Sequence, residues 1–353
     1  MISAWGKNWF LFFFIFFALF SIVWSTNIVA SIYKGIGLFG CSVIAAYTGL
    51  AHKGNLLFRG FWWFLIFLAT VTFAVALFFP LAGTHIGYPY YGAWRGIFWS
   101  KNYMGPIMAF GNLVFLFNIA SSGKKIMSLL VNTLFYFLTA LLVILSKCAT
   151  AMILFVIINL CFLLSVAWVK WNQHLRRSHY IALMIVCIVL LVLVFLNLDF
   201  FFGLLNRNTS LTGRLPFWSF LIQNGLLNHP VLGYGFGATW ESNNFRFTTQ
   251  NAVGWDLPPL VSDNGYIDIF LHLGLVGIFL LVITLVLCLF RVAKHALKEQ
   301  TVVSFFPVLL MIIIIIVNMS LSFYLELESF VWFLMVFALF STTPLLPENK
   351  VAA

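Results

Sequence analysis

The run ATAMILFVIINLCFLLSVAWV, Ala149–Val169, holds 21 residues and not one charged side chain. At 1.5 Å of rise per residue such a helix is about 30 Å long, the thickness of a bilayer's hydrocarbon core. Hydrocarbon offers peptide groups no partner, so a crossing segment must satisfy its own backbone, and the run reads as a membrane helix. Comparable runs lie on either side. Upstream are Trp9–Trp24, Ile32–Leu50, Phe61–Leu81, Tyr103–Ala120 and Ile126–Ser146; downstream are Tyr180–Leu198, Asn264–Phe290, Val302–Ser322 and Glu328–Thr343. The pattern predicts an all-α polytopic membrane protein of about ten transmembrane helices, forming a single integral membrane domain over residues 1–353. The division between Ile126–Ser146 and Ala149–Val169 rests on Lys147, so about nine to eleven helices also fit.

Composition agrees. The chain is 63% hydrophobic and 8% charged, with a mean hydropathy of +1.05, which excludes an ordinary soluble domain. Its net charge of +10 is spread over short loops. That excludes a nucleic-acid module and suits attraction to anionic lipid headgroups. Cys41, Cys148, Cys161, Cys187 and Cys288 fall in or beside membrane helices without metal or disulfide spacing, and read as packing residues. Runs such as Phe10–Phe20 read as lipid-facing surface, and the first span, preceded by Lys7 and lacking a small-residue cleavage site, as a retained anchor.

Orientation follows from lysine and arginine, which favour cytoplasmic loops. With the N-terminus inside, Lys7, Lys53, Arg59, Lys124, Lys125, Lys170, Arg176, Arg177, Arg291, Lys294, Lys298 and Lys350 fall inside. Both termini are then cytoplasmic, and a long loop, residues 199–263, is extracytoplasmic. Lys34, Arg95, Lys101, Lys147, Arg207, Arg214 and Arg246 remain outside, against the bias. Lys34 sits at a helix end, where its stem can snorkel to the interface.

Three of these outer contexts point to chemistry. In GTHIGYPYYGAWRGIFWSKN, residues 83–102, Gly, Pro and aromatic residues suit an interfacial cap that turns Arg95 and Lys101 toward an anionic headgroup. In SKCATAM, residues 146–152, Lys147 can snorkel or face a polar cavity lined by Ser146 and Thr150. The third is TSLTGRLPFW, residues 209–218, in which Thr212 can cap a short helix whose first turn holds Arg214 and Pro216 and which ends near Gly225. A guanidinium beside the free amides of a helix N-terminus attracts phosphate, and at a bilayer's edge that suits a diphosphate on a lipid carrier. Nearby GYGFG, with Gly233, Gly235 and Gly237, lacks the surroundings of a nucleotide fingerprint and reads as a tight loop.

The last outer motif is PPLVSDNGYIDIFLHLGLVG, residues 258–277. Ser262 or Asp263 can cap the helix that follows, and Gly274 and Gly277 make a small-residue surface for close helix packing. Asp263 is also a carboxylate at the membrane rim, able to accept a proton from a sugar hydroxyl. Asp268 and His272, four apart on one helix face, read as a structural ion pair or hydrogen bond. Glu326 and Glu328 can pair with outer arginines, and His85 and His229 are proton-transfer candidates without spacing support. No histidine and carboxylate cluster has metal-ligand spacing.

WRGIFWSKNYMG, SKCATAM, NTSLTGRLPFW, HPVLGYGFGATW and SDNGYIDIFLHLGLVG stand in the order found in the O-antigen ligase and polymerase superfamily, and the chain most resembles its exopolysaccharide polymerase branch. The resemblance runs from Trp94 to Gly277. It implies a bacterial cytoplasmic (inner) membrane glycosyltransferase, inverting and independent of metal or other cofactor. Its donor would be a polyprenyl-diphosphate-linked oligosaccharide, and a chain-length regulator and a flippase would be partners beside the membrane lipids. Carried onto this sequence, Arg214 and Arg95 grip the diphosphate as its charge grows, while Lys101, Lys147, Trp218 and Asn264 complete the substrate site. Asp263 is a departure, since relatives carry histidine in the HNGY form of the motif; aspartate is the weaker base but can take the same proton. Cys148 stands where serine is usual. A polymerase joining repeat units and a ligase moving a finished glycan share this donor chemistry. A flippase would be expected to place polar groups through mid-membrane and to show repeated halves, and no repeat is visible.

Overall fold

The computed structural model describes residues 2–52, 55–87, 90–123, 125–171, 214–322 and 330–343. The span expected at Tyr180–Leu198, Arg207, Thr212, Glu326 and Glu328 lie outside these residues. In chain order the helices are α1 (Ile2–Lys7), α2 (Trp9–Phe20, extended by a 3-10 turn at Ser21–Trp24), α3 (Ile28–His52) and α4 (Asn55–Phe78). Then come α5 (Pro80–Gly83), α6 (Lys101–Ser121), α7 (Ile126–Leu145) and α8 (Ala149–Trp171). After them stand α9 (Arg214–Asn228), α10 (Asn243–Val253), α11 (Gly265–Glu299), α12 (Phe306–Val317) and α13 (Phe330–Ser341). Among the described residues six helices are long and apolar enough to cross a membrane, and three shorter apolar ones, Trp9–Trp24, Val303–Val317 and Phe330–Ser341, accompany them. Each matches one expected span, so the all-α, multi-pass class holds.

The differences in bounds have local causes. The third span was expected to reach Leu81, but α4 stops at Phe78, because Pro80 forces Phe79 out of helical geometry (φ −128°, ψ 63°). The eighth was expected to end at Phe290, where apolar sequence ends, but α11 runs to Glu299. Hydropathy stops at Arg291; the backbone ladder continues past it. The uncertain division at Lys147 is real. Lys147 adopts a left-handed backbone (φ 50°), and the Ser146 hydroxyl accepts the N–H of Cys148 at 3.1 Å, ending α7 and starting α8.

Inside the bundle, α6, α7 and α8 are joined by a closed polar triangle. Tyr136 donates its hydroxyl to Asn159 Oδ1 at 2.6 Å, Asn159 donates to Asn112 Oδ1 at 3.3 Å, and Asn112 donates to the Tyr136 carbonyl at 3.2 Å. Away from water such bonds act as glue between helices, and they fix the relative register of the three elements that carry Lys101 and Lys147.

Hydrogen bonds also show which helix ends lie together. Trp94 N–H reaches the Leu145 carbonyl at 3.0 Å, Thr150 and Ser320 share a hydroxyl bond at 2.7 Å, and Gly265 N–H lies 2.9 Å from the Asn318 carbonyl. Thr26 N–H meets the Tyr234 carbonyl at 2.9 Å. The starts of α3, α6, α8 and α11 and the ends of α2, α7 and α12 therefore share one face. Asn8 bonds Thr343 at 3.2 Å and accepts from Arg291 at the opposite end, where Lys7, Lys125, Lys170, Lys294 and Lys298 also fall.

Candidate functional site at the shared helix face

Helix α9 spans Arg214–Asn228, with Pro216 near its described start, and runs three residues past Gly225, where it was expected to end. It buries Phe217, Leu221 and Gly225 and leaves Leu215, Ile222, Leu226 and Leu227 exposed, an apolar face suited to the membrane surface. Arg214 Nη2 lies 2.8 Å from Asp263 Oδ2, and Nη1 donates to the Ser320 carbonyl at 3.4 Å. The guanidinium is largely covered, while the carboxylate is 39% exposed. The expected cation and the expected base therefore meet.

Neither Ser262 nor Asp263 supplies the cap expected of them. Asn264 does so, its Oδ1 accepting the N–H groups of Tyr266 at 3.0 Å and Ile267 at 3.3 Å. Its amide nitrogen donates to the Met319 carbonyl at 3.3 Å, so the side chain named as substrate-binding already has both ends engaged. Asp263 is released from capping and points to Arg214 instead, with its backbone in the left-handed region (φ 56°). Trp218 donates its indole N–H to the Ser262 carbonyl at 2.8 Å, which ties α9 to the same turn.

The second cation group lies in the loop before α6. A single bridge between Thr84 and Trp94 folds it back on itself, and Gly96 sits so tightly on α4 that a Cβ there would lie 2.3 Å from Thr72. Arg95 donates to the carbonyls of Ala82 at 3.0 Å and Trp99 at 3.3 Å. Trp99, 87% exposed, suits headgroup depth. Lys101 is only 1% exposed, with its ammonium 4.3 Å from the centre of the Tyr90 ring and 3.3 Å from the Lys147 carbonyl. Lys147 is exposed and reaches the Tyr91 carbonyl at 3.5 Å. Lys101 thus braces the turn that presents Lys147.

The two groups meet through Ser320, whose hydroxyl bonds Thr150, three residues after Lys147, and whose carbonyl accepts from Arg214. Among the described residues no hydrogen bond or ion pair joins Arg95 to Arg214. Thr150 was legible beside Lys147; Ser320, in an apolar run, gave no signal.

Three further expectations change. Asp268 and His272 do not bond each other: Asp268 Oδ1 accepts from Trp240 Nε1 at 2.8 Å, and His272 Nδ1 faces the Gly235 carbonyl at 3.1 Å. Lys34 does more than snorkel, since it lies 3.4 Å from Glu241 and pins the glycine loop to α3. Gly274 makes no helix-packing surface but breaks α11 (φ 64°, ψ −162°). Into this break the loop inserts its backbone: Leu275 N–H meets the Pro230 carbonyl at 2.9 Å, and Tyr234 N–H the Leu271 carbonyl at 2.8 Å. Irregular backbone survives at the membrane only where protein satisfies it in this way. The close approach expected of the GYGFG loop is present, for a Cβ on Gly235 would lie 2.5 Å from Ser25 Oγ. His229 rests against the Tyr234 ring, with centroids 4.3 Å apart.

His85 Nε2 accepts the N–H of Lys101 at 3.2 Å, which requires that nitrogen to be unprotonated. Burial, then the charges of Arg95 and Lys101, hold its pKa below the usual histidine value. The folded value is depressed, so the neutral ring's contribution is complete above the unfolded value of about 6.5 and lost as pH falls through the folded one. Hydrogen exchange in residues 84–101 should therefore quicken as the pH falls from about 6.5 through the folded value, after correction for intrinsic rates. His85→Gln, which accepts without titrating, should flatten the dependence; an identical pH profile in both proteins would refute the assignment.

The helices and this site define a multi-pass membrane protein with a cationic centre at the edge of the bundle. Residues 134–282 match the family model described as O-antigen ligase, which supports the resemblance to the O-antigen ligase and polymerase superfamily, whose members act on lipid-linked oligosaccharides in membranes. The matched residues hold Lys147, Arg214, Trp218, Asp263 and Asn264 and leave Arg95 and Lys101 outside. A comparison with curated proteins finds no match.

Proposed function

We propose that the protein is an inverting glycosyltransferase that polymerises polyprenyl-diphosphate-linked oligosaccharide repeat units at the extracytoplasmic face of the cytoplasmic membrane. The observation that carries this reading is the 2.8 Å pairing of Arg214 with Asp263 at the start of α9. A guanidinium has five N–H donors, and two contacts leave others for phosphate oxygens. In the reaction, an acceptor hydroxyl oxygen forms a bond to the anomeric carbon while the bond from that carbon to the diphosphate oxygen breaks. The electron pair departs with the lipid diphosphate, whose charge Arg214 stabilises, and the hydroxyl proton passes to Asp263. Lys147, on the neighbouring turn, adds positive charge to the same face, and Arg95 serves the interfacial cap. Transfer of a finished glycan to another acceptor uses the same donor half-reaction. Transport fits less well: the mid-membrane amides of Asn112 and Asn159 are engaged with each other and with Tyr136, while the charged groups gather at helix ends.

The test supplies purified protein in nanodiscs with a lipid-linked oligosaccharide, without nucleotide or divalent metal. A ladder of longer glycans and release of polyprenyl diphosphate are expected; transfer of a single unit to another acceptor would indicate a ligase, and neither product would end the proposal. Asp263→Asn should lower kcat by about a hundredfold or more, the usual scale for a lost general base, while donor affinity holds or rises because Arg214 loses its competing partner. Wild-type turnover in that variant would remove Asp263 as the base.

A further inference from the structure

Asp268 lies one turn inside α11 and has no exposed surface. A carboxylate in such a place is costly unless its oxygens are used. Its Oδ1 accepts two hydrogen bonds, from Trp240 Nε1 at 2.8 Å and from the backbone N–H of Ser262 at 3.2 Å. Ser262 immediately precedes Asp263. Its carbonyl accepts the Trp218 indole, and its hydroxyl accepts from Asn264 N–H at 3.1 Å while donating to the Asn264 carbonyl at 2.7 Å. Every polar group of Ser262 is thus committed, and the next residue is Asp263, whose left-handed backbone (φ 56°) a side-chain-bearing residue keeps only when its surroundings impose it.

We propose that Asp268 is a positioning residue: by holding the Ser262 N–H, it fixes the turn that presents the Asp263 carboxylate to Arg214. The inference rests on the reading of Asp263 and Arg214 as the transfer site. Through Trp240 the same carboxylate is bound to the glycine loop, which the Lys34 and Glu241 pair fastens to α3. The turn is therefore referenced to the whole cap and not to α11 alone. The other oxygen, Oδ2, and the Ser322 hydroxyl are both buried with no hydrogen-bond partner in bonding geometry. Asparagine would suit the same place, its oxygen accepting both bonds, from Trp240 and from Ser262.

The test combines hydrogen exchange over residues 261–266, in nanodiscs, with donor kinetics. Asp268→Leu should speed exchange there by about tenfold or more as the turn loses its anchor, and bring kcat down to the level of Asp263→Asn. Asp268→Asn should stay within about threefold of wild type in both, and Asp268→Leu added to Asp263→Asn should cost nothing further. Asp268→Glu retains the acceptor and lengthens the reach by a methylene; it should fold and lower kcat by about tenfold or more with the donor KM unchanged, as misplacement by about an ångström does. Unaltered exchange in Asp268→Leu, damage in Asp268→Asn equal to that in Asp268→Leu, or wild-type kcat in Asp268→Glu would overturn the positioning role. Faster exchange with wild-type turnover would instead overturn Asp263 as part of the transfer site.

Discussion

Arg214→Ala is expected to lower glycan transfer by at least about a hundredfold, the scale on which loss of one preorganised donor to a developing anion is felt. The leaving diphosphate gains negative charge as the sugar departs, and a fixed cation in a partly dehydrated pocket counters that charge without reorganising. Arg214 is fixed by Asp263 at 2.8 Å and Ser320 at 3.4 Å before any donor arrives. Arg214→Lys should recover only part of the loss, since an ammonium keeps the charge but not the planar fork that grips two oxygens. The check is the initial rate of polyprenyl diphosphate release from a lipid-linked oligosaccharide, with folding confirmed by monodispersity. A rate for Arg214→Ala within about tenfold of wild type would leave the guanidinium no role in the leaving-group step, since that falls well below the loss expected of a preorganised donor.

Gly274→Val is expected to destabilise the folded protein sharply. A Cβ at this position would lie 2.2 Å from the Val231 carbonyl oxygen and 2.6 Å from the Leu232 nitrogen, both backbone atoms that cannot swing aside. The positive φ of 64° adds strain for a β-branched residue. Together the clash and the strain cost about 3 kcal/mol or more, a large share of a typical domain's stability. The damage spreads, because the loop entering the break at Gly274 also carries Trp240, the partner of Asp268. Thermal unfolding in detergent, with Gly40→Ala as a control, measures the effect: nothing lies within 4 Å of a Cβ on Gly40. A melting temperature for Gly274→Val equal to that of the control would show that the loop does not need the break.

Much of the site could be read before any coordinates. Arg214 near Pro216 and the folded cap around Arg95 announced themselves as charges against the topology bias beside glycine, proline or aromatic residues, and the turn at Lys147 as a lone charge between two apolar runs. What could not be read was which group each one faces. Asp268 and His272 stand four apart on a helix, and spacing alone pairs them; in the structure the glycine loop comes between and takes a bond from each. Asn264 displaced Ser262 and Asp263 as the cap because the choice among three adjacent capping residues depends on a single backbone torsion, and Asp263 takes the left-handed one. The Lys34 and Glu241 pair joins residues far apart in sequence, beyond the reach of a local pattern.

The sequence by itself determined that this is a helical membrane protein, where most of its spans lie and which loops carry excess positive charge. Those properties follow from hydrophobic run length and charge placement, which act residue by residue. Only the tertiary structure decided that Arg214 meets Asp263, that Lys101 is buried beneath Tyr90, and that α11 breaks to admit a loop. Each depends on how a distant segment satisfies backbone groups and charges that water cannot reach.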